Sequence, residues 1–504
     1  MQTYQLDYAL MTAADGKSWT WDVRHAVEGV QIFGGIGSGK TSGSGRTIAL
    51  RYLKAGFGGL VLTVKPDEKK DWIEYCRLSN RSNDLVILEP DGKNTFNFLQ
   101  YESEASDSNR ALTENIVDVL KTVIKAGESE GADKSDDAFW QNALDMLLFN
   151  VIDLCKLAYN KVTIDHLYNI VQTLPKAVDT KKAKSDNQKD QANKALGFDV
   201  TYGKAHKNIN KLIDKVETHA RIRKGDDFYI LSEDEINAIP EVRLFEHIDQ
   251  FFTDTFRNLS EKTRAIIEFT FTGFLFRLMR EPIYSLFSSA NSNVTPDDSL
   301  NGKIILVNLP VKIFHKVGRD CQILFKYIWQ RAMEKRSVSE KTRPVFLWAD
   351  EAQNFIHEHD AVYQATARSS KIATVYITQN LPNYYAAMGG EKGEYKVKSF
   401  LGTLGTKIFH SNADIETNKY SSELVGDIFN EVESKGISTG SDSFSQSRNT
   451  EKKLERAIRP EEFVGLQTGG KKNNYKVGCI MHRQGEPFKN GKNYVKTTYS
   501  QTQS

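Results

Sequence analysis

Cysteine is scarce in this chain: four residues in 504, at positions 76, 155, 321 and 479, with no C-x-x-C pair among them. Such spacing excludes a disulfide framework and a cysteine-rich zinc site, and it suits reduced core thiols in a cytosol. Long apolar runs are missing too. No stretch reaches the roughly 18 uncharged apolar residues of a membrane span, and the first twenty positions lack the basic-then-apolar profile of a signal peptide. The nearest approach, Phe269 to Phe276, is cut off by Arg277 and Arg280 and is expected to be a buried helix. Charge of one sign is not in excess. The net charge is +2 with 26% charged residues, so any nucleic-acid surface must be local. There is no internal repeat, no G-x-S-x-G elbow and no dinucleotide fingerprint with its downstream acid. His357-Glu358-His359-Asp360 does not make a metal site, because on a helix the two histidines face different directions and no third ligand is visible.

What the chain does contain is a phosphate-cradling pattern. Gly34-Gly35-Ile36-Gly37-Ser38-Gly39-Lys40-Thr41 fits G-x-x-x-x-G-K-[ST] and follows the short apolar run Val30 to Phe33, which reads as a strand. Glycines let successive backbone N–H groups converge on a β-phosphate, Lys40 brings a cation to the β- and γ-oxygens, and the Thr41 hydroxyl can ligate Mg²⁺. Ser42 completes the nucleotide-contacting set. ATP and Mg²⁺ are therefore the expected ligands.

Further apolar runs at Gly59 to Val64 and Asp84 to Leu88 end in turn residues and alternate with helix-like segments, which is the rhythm of parallel βαβ units. The strand signal then disappears for about two hundred residues, where segments such as Phe139 to Ala158, with Phe139, Ala143, Met146, Leu147, Asn150 and Leu154 near helical spacing, read as amphipathic helices. Strand runs resume at Lys303 to Asn308, Val345 to Ala349, Ile372 to Ile377 and Thr406 to Phe409, apolar almost throughout as central strands are. The expected fold is α/β, with a mostly parallel sheet flanked by helices and an all-helical insertion. The expected division is 1–100 and 296–485 for the nucleotide-binding domain, 101–295 for the insertion and 486–504 for a tail. Ile437 to Ser447 reads as a mobile loop, and the last ten or so residues read as disordered. Asp179 to Lys224 holds twelve Lys/Arg against six Asp/Glu. Such a run is a solvated face or, alternatively, a contact in which Lys181, Lys182, Lys184, Lys204, His206, Lys207, Arg221 and Arg223 meet phosphates.

Val345 to Ala349 ends in Asp350-Glu351, an acid pair expected on the strand beside the phosphate loop. Asp350 would hold Mg²⁺ with Thr41, and Glu351 would polarise the attacking water. Ile372 to Ile377 ends in Thr378-Gln379-Asn380, where Gln379 can bond the γ-phosphate or that water; a turn-capping amide pair is the alternative. Arg368, on a loop before that strand, is either a solvated charge or an arginine finger for a neighbour's γ-phosphate in a ring.

These marks in this order resemble the conjugative DNA-transfer coupling proteins of type IV secretion systems, the TraG/TraD-like group within the HerA/FtsK clade of RecA-like P-loop ATPases. The likeness rests on the loop at 34–41, Val64-Lys65-Pro66-Asp67, Asn94-Thr95-Phe96-Asn97-Phe98-Leu99, the helical insertion, Leu306 to Pro310, Asp350-Glu351, Thr378-Gln379-Asn380 and Ile458-Arg459-Pro460-Glu461-Glu462-Phe463. It implies a RecA-like fold, a homo-hexameric ring, ATP hydrolysis at subunit boundaries, translocation of single- or double-stranded DNA, and relaxase or secretion-channel proteins as partners. The family's N-terminal transmembrane helices find no counterpart here. The expectation is therefore a chain in the cytoplasm, or one held at the inner face of the membrane by a separate subunit. Two other readings fit the same motifs: an ATPase that recruits or pumps protein substrates, and a nucleotide-gated scaffold.

Overall fold

The computed structural model describes residues 4–13, 16–104, 113–128, 138–175, 197–289, 291–357, 359–389, 393–440 and 443–502. Thirteen strands are found among them. In chain order they are β1 (Ala9–Thr12), β2 (Thr20–Asp22), β3 (Val30–Phe33), β4 (Gly58–Leu62), β5 (Leu85–Leu88), β6 (Ile304–Val307) and β7 (Val345–Ala349). The rest are β8 (Ile372–Thr378), β9 (Thr406–Phe409), β10 (Asp427–Gly440), β11 (Ser443–Arg456), β12 (Lys476–Arg483) and β13 (Tyr494–Ser500).

The chain divides into two compact units. One comprises Met1–Val86, Pro296–Gln322 and Trp329–Ser504; the other comprises Ile87–Thr295 and Ile323–Ile328.

The first unit is built on a sheet of order β13-β12-β9-β3-β8-β7-β4-β6-β5, nine strands among the described residues. β9, β3, β8, β7, β4 and β6 run parallel, while β12 pairs antiparallel with both β9 and β13. β3, β4, β6, β7, β8 and β9 are buried along their whole length, which explains their unbroken apolar sequences. The helices Arg46–Lys54 and Glu68–Leu78 cover one stretch of sheet through an aromatic cluster. Tyr52 stacks on Phe57 at 5.0 Å, and Trp72 lies 5.7 Å from Phe346 and 5.4 Å from Trp348. Each such pair adds about 0.5–1.5 kcal/mol beyond its buried area.

Among its described residues the second unit is helical between Phe98 and Leu278, with helices at Ala138–Tyr159, Phe198–Lys224 and Glu261–Leu278 as the longest of them. Thr163 and Ser260 cap the first turns of the helices that follow them, and Gly225 ends the long helix in the left-handed conformation at φ +66°. Asn97, inside the motif read from sequence, accepts the Gln100 N–H and starts Phe98–Glu104. Phe96 and Phe98 beside it are fully buried.

Five expectations need correction. Residues 437–447 were expected to be a loop, yet 437–440 and 443–447 belong to the antiparallel hairpin β10–β11, in register from Asp427↔Arg456 to Gly440↔Ser443; 441 and 442 lie outside the described residues. Both faces of its described part are exposed or half-buried, so no apolar alternation betrayed it; cross-strand pairs such as Asp427–Arg456 at 3.1 Å take the place of a buried face. The segment through residue 502 is structured too: β13 pairs with β12 from Lys476↔Ser500 to His482↔Tyr494, with Tyr494 and Tyr499 buried. Phe269 to Phe276 is helical but not uniformly buried: Phe271 and Phe274 face inward, while Phe269 is 79% exposed. In Ala138–Tyr159 the buried row runs through Leu147, Leu148, Val151, Ile152 and Cys155, and Met146 faces solvent. Finally, β7 is not beside β3; β8 lies between them.

All four cysteines are buried free thiols. Among the described residues, no helix is long and apolar enough to cross a membrane. Lys181, Lys182 and Lys184 lie outside the described residues. Lys204 sits 4.3 Å above the Tyr159 ring, and Arg221 donates to Glu217 and to the Tyr229 carbonyl.

Candidate functional site

The C-terminal ends of β3, β8, β7 and β4 bring the sequence motifs into one place. After β3 the chain turns through Gly37 and Gly39 at φ +72° and +81°, backbone that side chains resist. A Cβ on Gly39 would lie 2.6 Å from Val477, and one on Gly34 would lie 2.4 Å from the Ser38 hydroxyl. At those two positions there is room only for backbone, while Gly37 faces open space. It runs into a wide π-type turn, Thr41–Gly45, in which the Gly45 N–H reaches back to the Lys40 carbonyl at 2.9 Å.

Neighbouring strand ends fix this loop from below. The Gly35 N–H donates to the Ser411 carbonyl, and the Asn412 amide donates to the Gln379 carbonyl, both at 2.8 Å. His410, at the end of β9, bridges the Gly478 carbonyl at 3.1 Å and the Ser44 hydroxyl at 2.7 Å. With Nδ1 donating to Gly478, Nε2 accepts from Ser44. Burial, with Lys40 in support, pushes the imidazole down to about 4, so it is neutral at physiological pH.

Across the site, the Thr41 hydroxyl donates to Asp350 Oδ2 at 2.8 Å, and Asp350 Oδ1 accepts the Glu351 N–H at 2.8 Å. Burial raises the Asp350 carboxyl, with Lys65 and Thr41 opposing the shift. Glu351 holds left-handed backbone at φ 49°, ψ 50°. A non-glycine residue there costs on the order of 1–3 kcal/mol, a strain that concentrates at functional sites. Its carboxylate is held from three directions: Lys65 Nζ at 3.1 Å, Gln353 Nε2 at 3.0 Å and Gln379 Nε2 at 3.3 Å. Lys40 Nζ stands 4.0 Å away. Burial works against ionisation of Glu351, yet the Gln353 hydrogen bond and the two lysines outweigh it and lower the carboxyl.

The structure therefore places Gly34, Gly35, Ile36, Gly37, Ser38, Gly39, Lys40, Thr41 and Ser42 in one loop, and Asp350, Glu351 and Gln379 against it. Arg368 is elsewhere. It precedes the first residue of β8, at the opposite end of that strand from Gln379, and its guanidinium lies 3.3 Å from Glu28.

Sequence reasoning missed Lys65, Gln353, Glu68 and His410. Lys65 stood in a recognised turn, but nothing local announces that it reaches Glu351. Glu68 opens the helix after β4 and accepts the Val64 N–H at 2.8 Å. The strand end beneath it is locked by Gln322, which pairs with both backbone groups of Thr63. Burial, reinforced by Asp350, pushes the Glu68 carboxyl from 4.5 up to about 8. The folded chain keeps a proton there that the unfolded chain loses near 4.5. This group accordingly contributes stability in full below about 4.5 and loses it as pH rises through about 8. Denaturant midpoints without magnesium are expected to fall between about pH 5 and pH 9 in the parent chain, and Glu68→Gln should flatten that slope. An unchanged slope in the variant would show that another group carries it.

The residues fit a magnesium nucleotide. Gly34 and Gly39 have no room for a side chain, the buried Ser38 hydroxyl finds no partner among the described residues, and Thr41 and Asp350 supply the oxygen donors a hard cation takes.

Residues 344–468 match the family model for the TraM recognition site of TraD and TraG. No curated protein matches the chain. Among solved structures, the unbound bacterial conjugative coupling protein TrwBdeltaN70 is similar at TM-score 0.60 and 13% identity, over 99% of this chain and 90% of that one. TrwB in complex with the ATP analogue ADPNP follows at 0.59 and 11%, over 99% and 91%. TrwB with ADP and Mg²⁺ gives 0.58 and 13%, over 100% and 90%. The resemblance to the TraG/TraD group read from the motifs is borne out: the C-terminal family match and the fold shared along the chain agree, and that fold is TrwB-like and RecA-type.

Proposed function

We propose that this chain is an ATP-hydrolysing motor of the conjugative coupling type, acting as a ring of identical subunits that moves DNA, or DNA with bound protein, toward a secretion channel. One observation carries the reading: Thr41 and Asp350, 309 positions apart, meet at 2.8 Å at the end of the glycine-rich loop after β3. In this reading the loop amides and Lys40 hold the triphosphate, and Thr41 and Asp350 hold magnesium. The metal, when bound, supplies positive charge to the phosphate oxygens. Glu351 orients and polarises a water, and Gln379, bonded to Glu351 and seated between the loop and the acids, senses whether the γ-phosphate is present. TrwB, which shares the fold, was solved with an ATP analogue and with ADP and Mg²⁺.

Arg368 serves a neighbouring subunit in this scheme. Among the described residues its guanidinium pairs with Glu28 and is half-exposed, which leaves it available to a second chain. Arg368→Ala should leave thermal unfolding almost unmoved and abolish the rise of specific activity with protein concentration. A variant that still responds to concentration excludes the role.

The cargo is tested by ATP turnover with and without DNA. The motor reading expects stimulation that weakens steeply with salt, as phosphate contacts do. The match to a partner-recognition region favours a second reading, an ATPase that recruits protein substrates. A confirmed oligomer that DNA fails to stimulate at any salt, yet that retains a specific protein partner, would decide for it.

A further inference from the structure

We propose that a cleft at the N-terminal end of β9, at the far end of that strand from His410, is a second anion site that takes a phosphate group on Lys407, His482 and Lys398. The cleft has a volume of about 470 Å³, within the range of small-ligand sites, and is walled by Tyr420 and Leu424. Lys407 on β9 and His482 on β12 are direct cross-strand partners, and both are buried, at 2% and 6% exposure. Two cation-forming side chains opposite each other destabilise a sheet, and burying them adds to that cost unless a counter-charge is present.

The protein supplies little of it. The Lys407 ammonium has three donors and gives one, to the Leu404 carbonyl at 2.6 Å. The buried His482 Nδ1 has no hydrogen-bond partner among the described residues. No aspartate or glutamate is among the described residues lining the cleft. The nearby carboxylates do not pair with Lys407 or His482: Glu394 pairs with Lys398 at the exposed rim at 2.6 Å, a contact an incoming anion would compete with, and Glu486 lies 4.0 Å from Arg483. Arg483 spends its donors on the Thr20, Glu486 and Pro487 carbonyls, so it shapes the cleft rather than filling it. Burial pushes Lys407 down to about 8, and burial followed by the charge of Lys407 pushes His482 down to about 4. A bound oxyanion would accept from both and reverse both shifts.

Inorganic phosphate and the backbone phosphate of a DNA strand offer the same chemistry. The test is calorimetric titration of the full chain carrying Lys40→Ala, so that the phosphate loop contributes little, first with inorganic phosphate and then with a short single-stranded oligonucleotide. Saturable binding of either probe is expected. Adding Lys407→Met should weaken it about tenfold or more, the worth of a charge-assisted bond, and the rim substitution Lys398→Met should weaken it by a smaller factor without disturbing the fold. Phosphate binding without oligonucleotide binding identifies a free anion, and the reverse identifies a strand. Phosphate should raise the melting temperature of the Lys40→Ala chain and not that of the same chain carrying Lys407→Met. The site is refuted if neither probe binds the Lys40→Ala chain, or if both added substitutions leave the affinity unchanged. Neither outcome depends on whether the phosphate loop hydrolyses ATP.

Discussion

Glu351→Gln is expected to lower ATP turnover by about 10²–10³-fold while leaving nucleotide affinity close to that of the parent chain. The carboxylate is fixed by donors from Lys65, Gln353 and Gln379, so the substitution keeps the shape and one acceptor oxygen, and removes the charge and the other acceptor. That charge is what polarises a water. The carboxyl is lowered in the fold, because its hydrogen bond to Gln353 and the nearby lysines outweigh burial, so Glu351 is ionised where the enzyme would work. A glutamine cannot accept the proton, and the complex with ATP should accumulate. Single-turnover phosphate release alongside filter retention of labelled nucleotide checks this directly. Parent-like turnover would favour a scaffold that binds nucleotide without using it.

Lys40→Ala should act earlier, on binding. Lys40 is 92% buried, at 8% exposure, and its ammonium stands 4.0 Å from Glu351, at the end of the glycine-rich loop. Truncating one partner of a desolvated charge contact costs about 2–5 kcal/mol, so affinity for a fluorescent ATP analogue should fall by about two orders of magnitude or more. The fold should survive, since Lys65 still neutralises Glu351 and the π-type turn is made by backbone alone. Affinity within a few-fold of the parent would remove the phosphate loop from the site. The two variants separate cleanly: Lys40→Ala fails to bind, while Glu351→Gln binds and stalls.

The phosphate loop and the acid pair were legible because each is a local pattern: glycines before a lysine, and acids at the end of an apolar strand. Strands buried on both faces were equally plain, and β3, β7 and β9 begin and end where their apolar runs do. Lys65, Gln353 and Glu68 were hidden for the opposite reason. Their roles arise only when β4 and β8 flank β7, and pairing order leaves no mark on neighbouring residues. The same holds for β8 lying between β3 and β7, which puts Gln379 rather than Asp350 next to the loop strand. The hairpin β10–β11 escaped because a ribbon solvated on both sides needs no alternation, and Met146 and Phe269 were misjudged because helical spacing fixes a face only to within a residue or so.

The separation of Thr41 from Asp350 also has a consequence on the ribosome. At about 5–20 residues per second, the 309 intervening positions take roughly 15–60 s to synthesise. For most of that interval β3 and β4 have been made without β8, β9, β6 or β7, the strands that flank them in the finished sheet. Two strands that the fold buries completely therefore wait as open ladder edges, which makes the nascent polypeptide a natural client for chaperones that shield such edges until the later strands arrive.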